Sequence, residues 1–123
     1  MARLAWLAPS LLLSAQLFAA GAATAAESDP VSGPITGDRQ QQLRNLLVQD
    51  CGSCHGLTFR GGLGPALVPE SLGGKSTQYL SVIILDGVPG SAMPGWRPML
   101  SDNEARWLAE LLLQGDASAG SGS

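Results

Sequence analysis

The chain has 123 residues but only one histidine and two cysteines, and these scarcities narrow the possible chemistry at once. With His55 as the sole imidazole, no second histidine can serve as a catalytic base, and neither GxSxG nor a Gly-rich phosphate loop is present. Structural zinc needs four ligands, and no second Cys/His group lies downstream of the first. Basic residues are few, 7 Lys and Arg against 10 Asp and Glu, for a net charge of −3. Nucleic acid wants a basic face, so that class of partner is not expected. Strand patterns alternating with helix patterns are also missing, which argues against a thioredoxin-like redox domain.

What is present is concentrated in one place. Both cysteines and the histidine fall in Cys51-Gly52-Ser53-Cys54-His55. Cys-x-x-Cys-His reads as a c-type haem attachment site. Two thiols three residues apart can each form a thioether to one haem vinyl group. His55, four residues after Cys51, shares its face on a helical turn and can reach iron from the proximal side. A structural disulfide between Cys51 and Cys54 is the plainer alternative, but it leaves His55 unexplained.

From Leu4 to Ala26 no residue is charged, and Arg3 precedes the run. The run closes on small residues, with Ala23-Thr24-Ala25 as an Ala-x-Ala cleavage site. Residues 1–26 are therefore expected to be a signal peptide, cut after Ala25 or Ala26. An uncleaved anchor is the rival, against which stand Pro9, Ser10, Ser14, Gln16 and the Ala/Gly end. Loss of Arg3 leaves six basic groups against ten acidic ones, so the mature chain carries −4 before haem is counted. Export places the mature chain outside the cytoplasm, with no stable membrane insertion once the leader is cut. A domain of this size is marginal alone, and a covalently held apolar macrocycle supplies core that the chain lacks.

Residues 27–37 (ESDPVSGPITG) read as a flexible lead-in. Asp38 is expected to cap a helix with Leu43, Leu46 and Leu47 on one face, and the attachment motif on its last turns. Residues 57–74 are Gly- and Pro-rich and read as irregular, with a haem edge to wrap. Within them Pro65 offers a carbonyl about ten residues after the motif, a candidate acceptor for the second ring nitrogen of His55. A second helix is expected from Ser76 or Thr77 through Tyr79, Leu80, Ile83 and Ile84, ending at Gly87 and Pro89. Residues 87–100 (GVPGSAMPGWRPML) are too rich in Gly and Pro for regular structure. Ser101 and Glu104 form a capping box, and Ala105, Leu108, Leu111 and Leu112 make one face of a last helix that Gly115 ends. Residues 116–123 read as a flexible tail, which puts the domain at 38–115.

Bis-histidine ligation is impossible within this chain, so the sixth iron position falls to Met93, Met99, Lys75 or nothing. Met93 sits mid-loop with little packing reason to be there, which favours it as the thioether ligand. Met99, beside Leu100 and the last helix, reads better as core packing. Trp96 and Arg97 are candidate donors to haem propionates. Trp107 is expected in the core against Leu43 or Leu47.

Together, Cys51-Gly52-Ser53-Cys54-His55, Gly64-Pro65 and Met93-Pro94 before a terminal helix resemble class I c-type cytochromes, over about Asp38 to Gln114. The resemblance implies an all-α fold of three to four helices around one covalently bound haem c. It implies attachment at Cys51 and Cys54, axial ligation by His55 and Met93, and a His-orienting carbonyl at Pro65. The first helix departs from the family in lacking the Gly that often lets the terminal helices approach closely. CHGLTFRGGLGPAL, ILDGVPGSAMPGW and LSDNEARWLAELLL further resemble the small periplasmic NirC-type cytochromes found with haem-cd nitrite reductases. That likeness implies a monomeric single-electron carrier in denitrification whose partners are periplasmic redox proteins, nitrite reductase among them. The alternative it leaves open is an accessory haem protein with a labile distal ligand, acting in maturation of the reductase's d-type haem.

Overall fold

Thr36, not Asp38, caps the first helix. Its side chain accepts from the Arg39 N–H, and its carbonyl accepts from the Gln40 N–H, so α1 spans Gly37–Leu46 with Asp38 inside the first turn. An acidic residue there still favours the helix, by facing the positive end of its dipole. The computed structural model describes residues 33–118. The expected leader (1–26), residues 27–32 of the lead-in and residues 119–123 of the tail lie outside the described residues.

From α1 the chain continues without a break into a wider π-helical turn, Leu47–Cys51, and then a short α2, Gly52–His55. The π character shows in the Gly52 N–H, which donates to the Leu47 carbonyl five residues back. The motif thus occupies the end of the first helical rod, as expected, but a changed helical pitch delivers it there. Gly56, at φ 84°, stops α2. A one-turn helix α3, Pro69–Leu72, interrupts the stretch expected to be irregular, with Pro69 at its start where a missing N–H costs nothing.

Helix α4, Thr77–Asp86, is capped by the Ser76 hydroxyl and ends at Gly87. Helix α5, Asp102–Gln114, carries the expected capping box between Ser101 and Glu104 and ends on left-handed Gly115. Five α-helices and the π turn thus form three rods and one short turn, and no strand is present among the described residues. The first three residues of the expected tail are helical rather than flexible. Asp116–Ser118 form a 3-10 turn, Ala117 is buried, and Arg44 donates to the Asp116 carbonyl.

The core joins Leu43 and Leu47 of the first rod to Ala105, Leu108, Ala109 and Leu112 of α5, with Leu80 and Leu85 from α4 and Phe59, Leu72 and Leu100 from the connections. Ala105 and Ala109 are fully buried, so α5 itself carries the small residues that the middle of α1 lacks. Between α1 and α5, Arg39 pairs with Glu104, whose other oxygen closes the capping box on Ser101. Trp107 packs at the edge of the core rather than inside it, with the Arg44 guanidinium over its ring. None of the described helices is long and apolar enough to cross a membrane.

Candidate haem site

His55 is a buried side chain in a molecule that buries few polar groups, and its polar contact explains why. Its Nδ1 lies 2.7 Å from the carbonyl oxygen of Pro65. A carbonyl can only accept, so Nδ1 carries the hydrogen and donates. In neutral imidazole the proton on one nitrogen leaves a lone pair on the other. Nε2 is therefore left as the acceptor, the form that ligates a metal.

The segment that supplies Pro65 folds back over α2 and is tied to it. The Gly64 N–H donates to the Cys54 carbonyl, and the Gly61 N–H donates to the His55 carbonyl, both at 2.9 Å. The last carbonyls of α2, which would lack partners at a helix end, are thereby satisfied. Gly64 lies flat against the imidazole: a Cβ there would sit 2.6 Å from His55 Cε1 and 2.8 Å from Nδ1. Sequence reading singled out Pro65 but missed this contact, for which the Gly-Pro pair was the available signal.

Phe59 was also missed. It is buried, takes a left-handed φ of 55°, and ties the loop together by donating its N–H to Gly56 and accepting from Leu67. A non-glycine residue in that region is uncommon, and burial of the ring offsets the strain.

Cys51 is half-buried and Cys54 exposed, and no disulfide joins them. Burial, with a contribution from Asp50, pushes the Cys51 thiol up to about 11. Met93 is half-buried in the connection between α4 and α5. Backbone bonds pin that connection at its base, where the Trp96 N–H donates to the Leu85 carbonyl and the Val88 N–H to the Met93 carbonyl. Gly87, at φ 71°, allows the close approach, since a Cβ there would sit 2.6 Å from the Met93 oxygen. Met99 is exposed, not packed in the core as expected. Trp96 packs against the core, and Arg97 is held by Asp86 and Asp102 on the surface.

Two free thiols, an imidazole with its metal-binding nitrogen left open, and a thioether on a braced loop make a donor set that fits haem c. Apolar side chains are left exposed in both loops, Leu57 and Leu63 after the motif and Val88 before Met93.

Residues 38–112 match the family described as cytochrome C oxidase, cbb3-type, subunit III. Cytochrome c55X of Paracoccus denitrificans (strain Pd 1222) is 54% identical over 84 residues, covering 68% of this chain and 82% of that one. The chain belongs to the NirC-like c-type cytochromes. Among solved structures, the c-type cytochrome NirC superposes with a TM-score of 0.65 at 51% identity, covering 67% of this chain and 96% of that one. Dihydro-heme d1 dehydrogenase NirN in complex with DHE gives a TM-score of 0.54 at 38% identity, over 57% of this chain but 15% of that one. The helical architecture is that of a class I cytochrome c, as the sequence reading expected. A c-type cytochrome holds haem covalently, and proteins of this family carry electrons rather than turn over a substrate.

Proposed function

We propose that this cytochrome carries single electrons in the periplasm during denitrification, delivering them to the haem-cd nitrite reductase. Cys51 and Cys54 would hold one haem c through thioethers, and His55 and Met93 would ligate its iron. The bond from His55 Nδ1 to the Pro65 carbonyl carries this reading. It fixes the tautomer and the ring plane, and a hydrogen bond on the far nitrogen makes the imidazole a stronger donor.

Bound there, haem supplies an iron that alternates between Fe(II) and Fe(III). The residues do the rest. The 56–65 loop keeps water from the proximal imidazole, and the braced loop offers the Met93 sulfur, a ligand that raises the reduction potential. With His55 and Met93 both committed to it, the iron would serve electron transfer and not substrate binding. Docking to the reductase is weak and transient, as suits redox encounters. Support for denitrification comes from kinship with cytochrome c55X and NirC.

A second reading is favoured by the likeness to dihydro-heme d1 dehydrogenase: the protein serves maturation of the d-type haem, through a more labile distal ligand. The expected domain limits of 38–115 widen to 36–118, to take in the Thr36 cap and buried Ala117; a cleaved leader at 1–26 and a monomeric state belong to the proposal as well.

Mixing the reduced cytochrome with purified nitrite reductase and nitrite tests the first reading. Rapid oxidation followed in the visible spectrum is expected, and a cytochrome that stays reduced refutes the donor role. Under the second reading, a strain deleted for this gene yields reductase lacking its d-type haem.

A further inference from the structure

The connection that carries Met93 is more ordered than its Gly/Pro content suggests. Val88-Pro89-Gly90-Ser91 is a type II turn: the Ser91 N–H donates to the Val88 carbonyl at 3.0 Å, Pro89 takes the position that favours it, and Gly90 has φ 76°. The Ser91 hydroxyl donates to the same Val88 carbonyl at 2.8 Å and accepts from the Met93 N–H at 3.2 Å. On its other side, the Met93 carbonyl accepts from the Val88 N–H at 3.2 Å. Both polar groups flanking the Met93 Cα are thus fastened to one turn, and the Ser91 hydroxyl links turn to ligand.

We propose that Ser91 is a positioning residue for the Met93 thioether, which holds the distal position closed by fixing the Met93 backbone. The inference rests on Met93 being the distal ligand. A methionine side chain has three rotatable bonds, so a weak sulfur ligand stays in place only if little else must be ordered each time it returns. Fixing the backbone in advance leaves the side chain as the main freedom to lose. That raises the effective concentration of sulfur at the sixth position. Ser91 bonds the Met93 amide and the Val88 carbonyl, and so acts on the sulfur through the backbone.

The test uses the oxidised, haem-loaded full chain titrated with cyanide, which must displace the distal ligand. Ser91→Ala is expected to raise apparent cyanide affinity roughly 2- to 10-fold, the worth of one hydrogen bond at an exposed site. Ser91→Thr, which keeps the hydroxyl, should stay within about twofold of the parent on the same scale. Met93→Ala should raise affinity further, and adding Ser91→Ala to it should change nothing more. Hydrogen exchange at the Met93 amide gives an independent readout and should quicken in Ser91→Ala.

If Ser91→Ala binds cyanide like the parent while Met93→Ala opens the site, the role of Ser91 is overturned and ligation by Met93 stands. An equal gain from Ser91→Ala in the Met93→Ala background shows action by another route and also overturns it. Should Met93→Ala bind no better than the parent, the ligand assignment fails and the role of Ser91 fails with it.

Discussion

The Nδ1–H of His55 donates to the carbonyl of Pro65, ten residues downstream, and Gly64 between them lies against the imidazole face. One short segment therefore fixes both the tautomer and the tilt of the ring. Since the acceptor is backbone, no side-chain replacement at position 65 deletes it; only a displaced loop can.

Gly64→Ala should displace that loop. The added methyl would sit within 3 Å of two ring atoms, and backbone on one side with a tethered imidazole on the other leaves little room to relax. Overpacking of this kind costs about 1–3 kcal/mol. At roughly 4–8 °C per kcal/mol for a domain of this size, a clear fall in the melting temperature of the haem-loaded protein is expected. Unchanged melting would show that the ring is free to move aside.

Cys51 and Cys54 should differ in reactivity before haem is attached. Burial, helped by Asp50, lifts the Cys51 thiol to about 11, so at pH 8 almost none of it is thiolate. Iodoacetamide should label exposed Cys54 first, and Cys51 labelling should climb as pH approaches 11, as peptide mass spectrometry can follow. Stability depends on pH through the same group. Above the ordinary thiol value near 9 the unfolded chain loses this proton first, so the haem-free protein should lose stability between about pH 9 and 11.

The Arg39–Glu104 pair should set the acid limit of the α1–α5 contact. Burial alone would raise the Glu104 carboxyl, but hydrogen bonds from Arg39 and Ser101 outweigh it and hold the group below the usual carboxylate range. Its contribution is present above that range and is lost as pH falls through the depressed value. Glu104→Ala removes the capping box together with the half-exposed ion pair and should cost about 1–2 kcal/mol in urea unfolding at neutral pH. The cost should shrink in acid.

Much of this was legible before any coordinates, and what was legible shares a cause. Ser101 with Glu104, Ser76 and Gly115 terminate helices through local bonds, and local bonds can be read from neighbouring residues. The attachment motif is likewise contiguous. What escaped notice depends on contacts between distant segments. Phe59 takes a left-handed φ because its ring reaches the core, and Met99 faces outward although its neighbour Leu100 is buried. Asp38 looked like the better cap, but Thr36 takes the role through its hydroxyl, and Asp38 favours the same helix end by its charge.

Gly87→Ala should disturb the Met93 loop more than its surface location suggests. A left-handed residue whose Cβ would meet the Met93 oxygen at 2.6 Å must either strain or swing the loop outward. Such strain costs of order 1–3 kcal/mol. The expected signature is a lower reduction potential by voltammetry, because weakened thioether ligation no longer favours the reduced iron. Gly37→Ala, at no positive φ and with nothing within 4 Å, serves as the control.

The wide turn at Leu47–Cys51 also constrains how this rod can change over descent. Each residue of a helix advances the chain by about 100°. Excising one residue from this turn would swing Cys51, Cys54 and His55 by about 100°, a little over a quarter of the way around the rod, from the Leu43 and Leu47 anchors. Lineages of this protein should therefore tolerate substitutions between Leu47 and Cys51 far more readily than a change in the number of residues there.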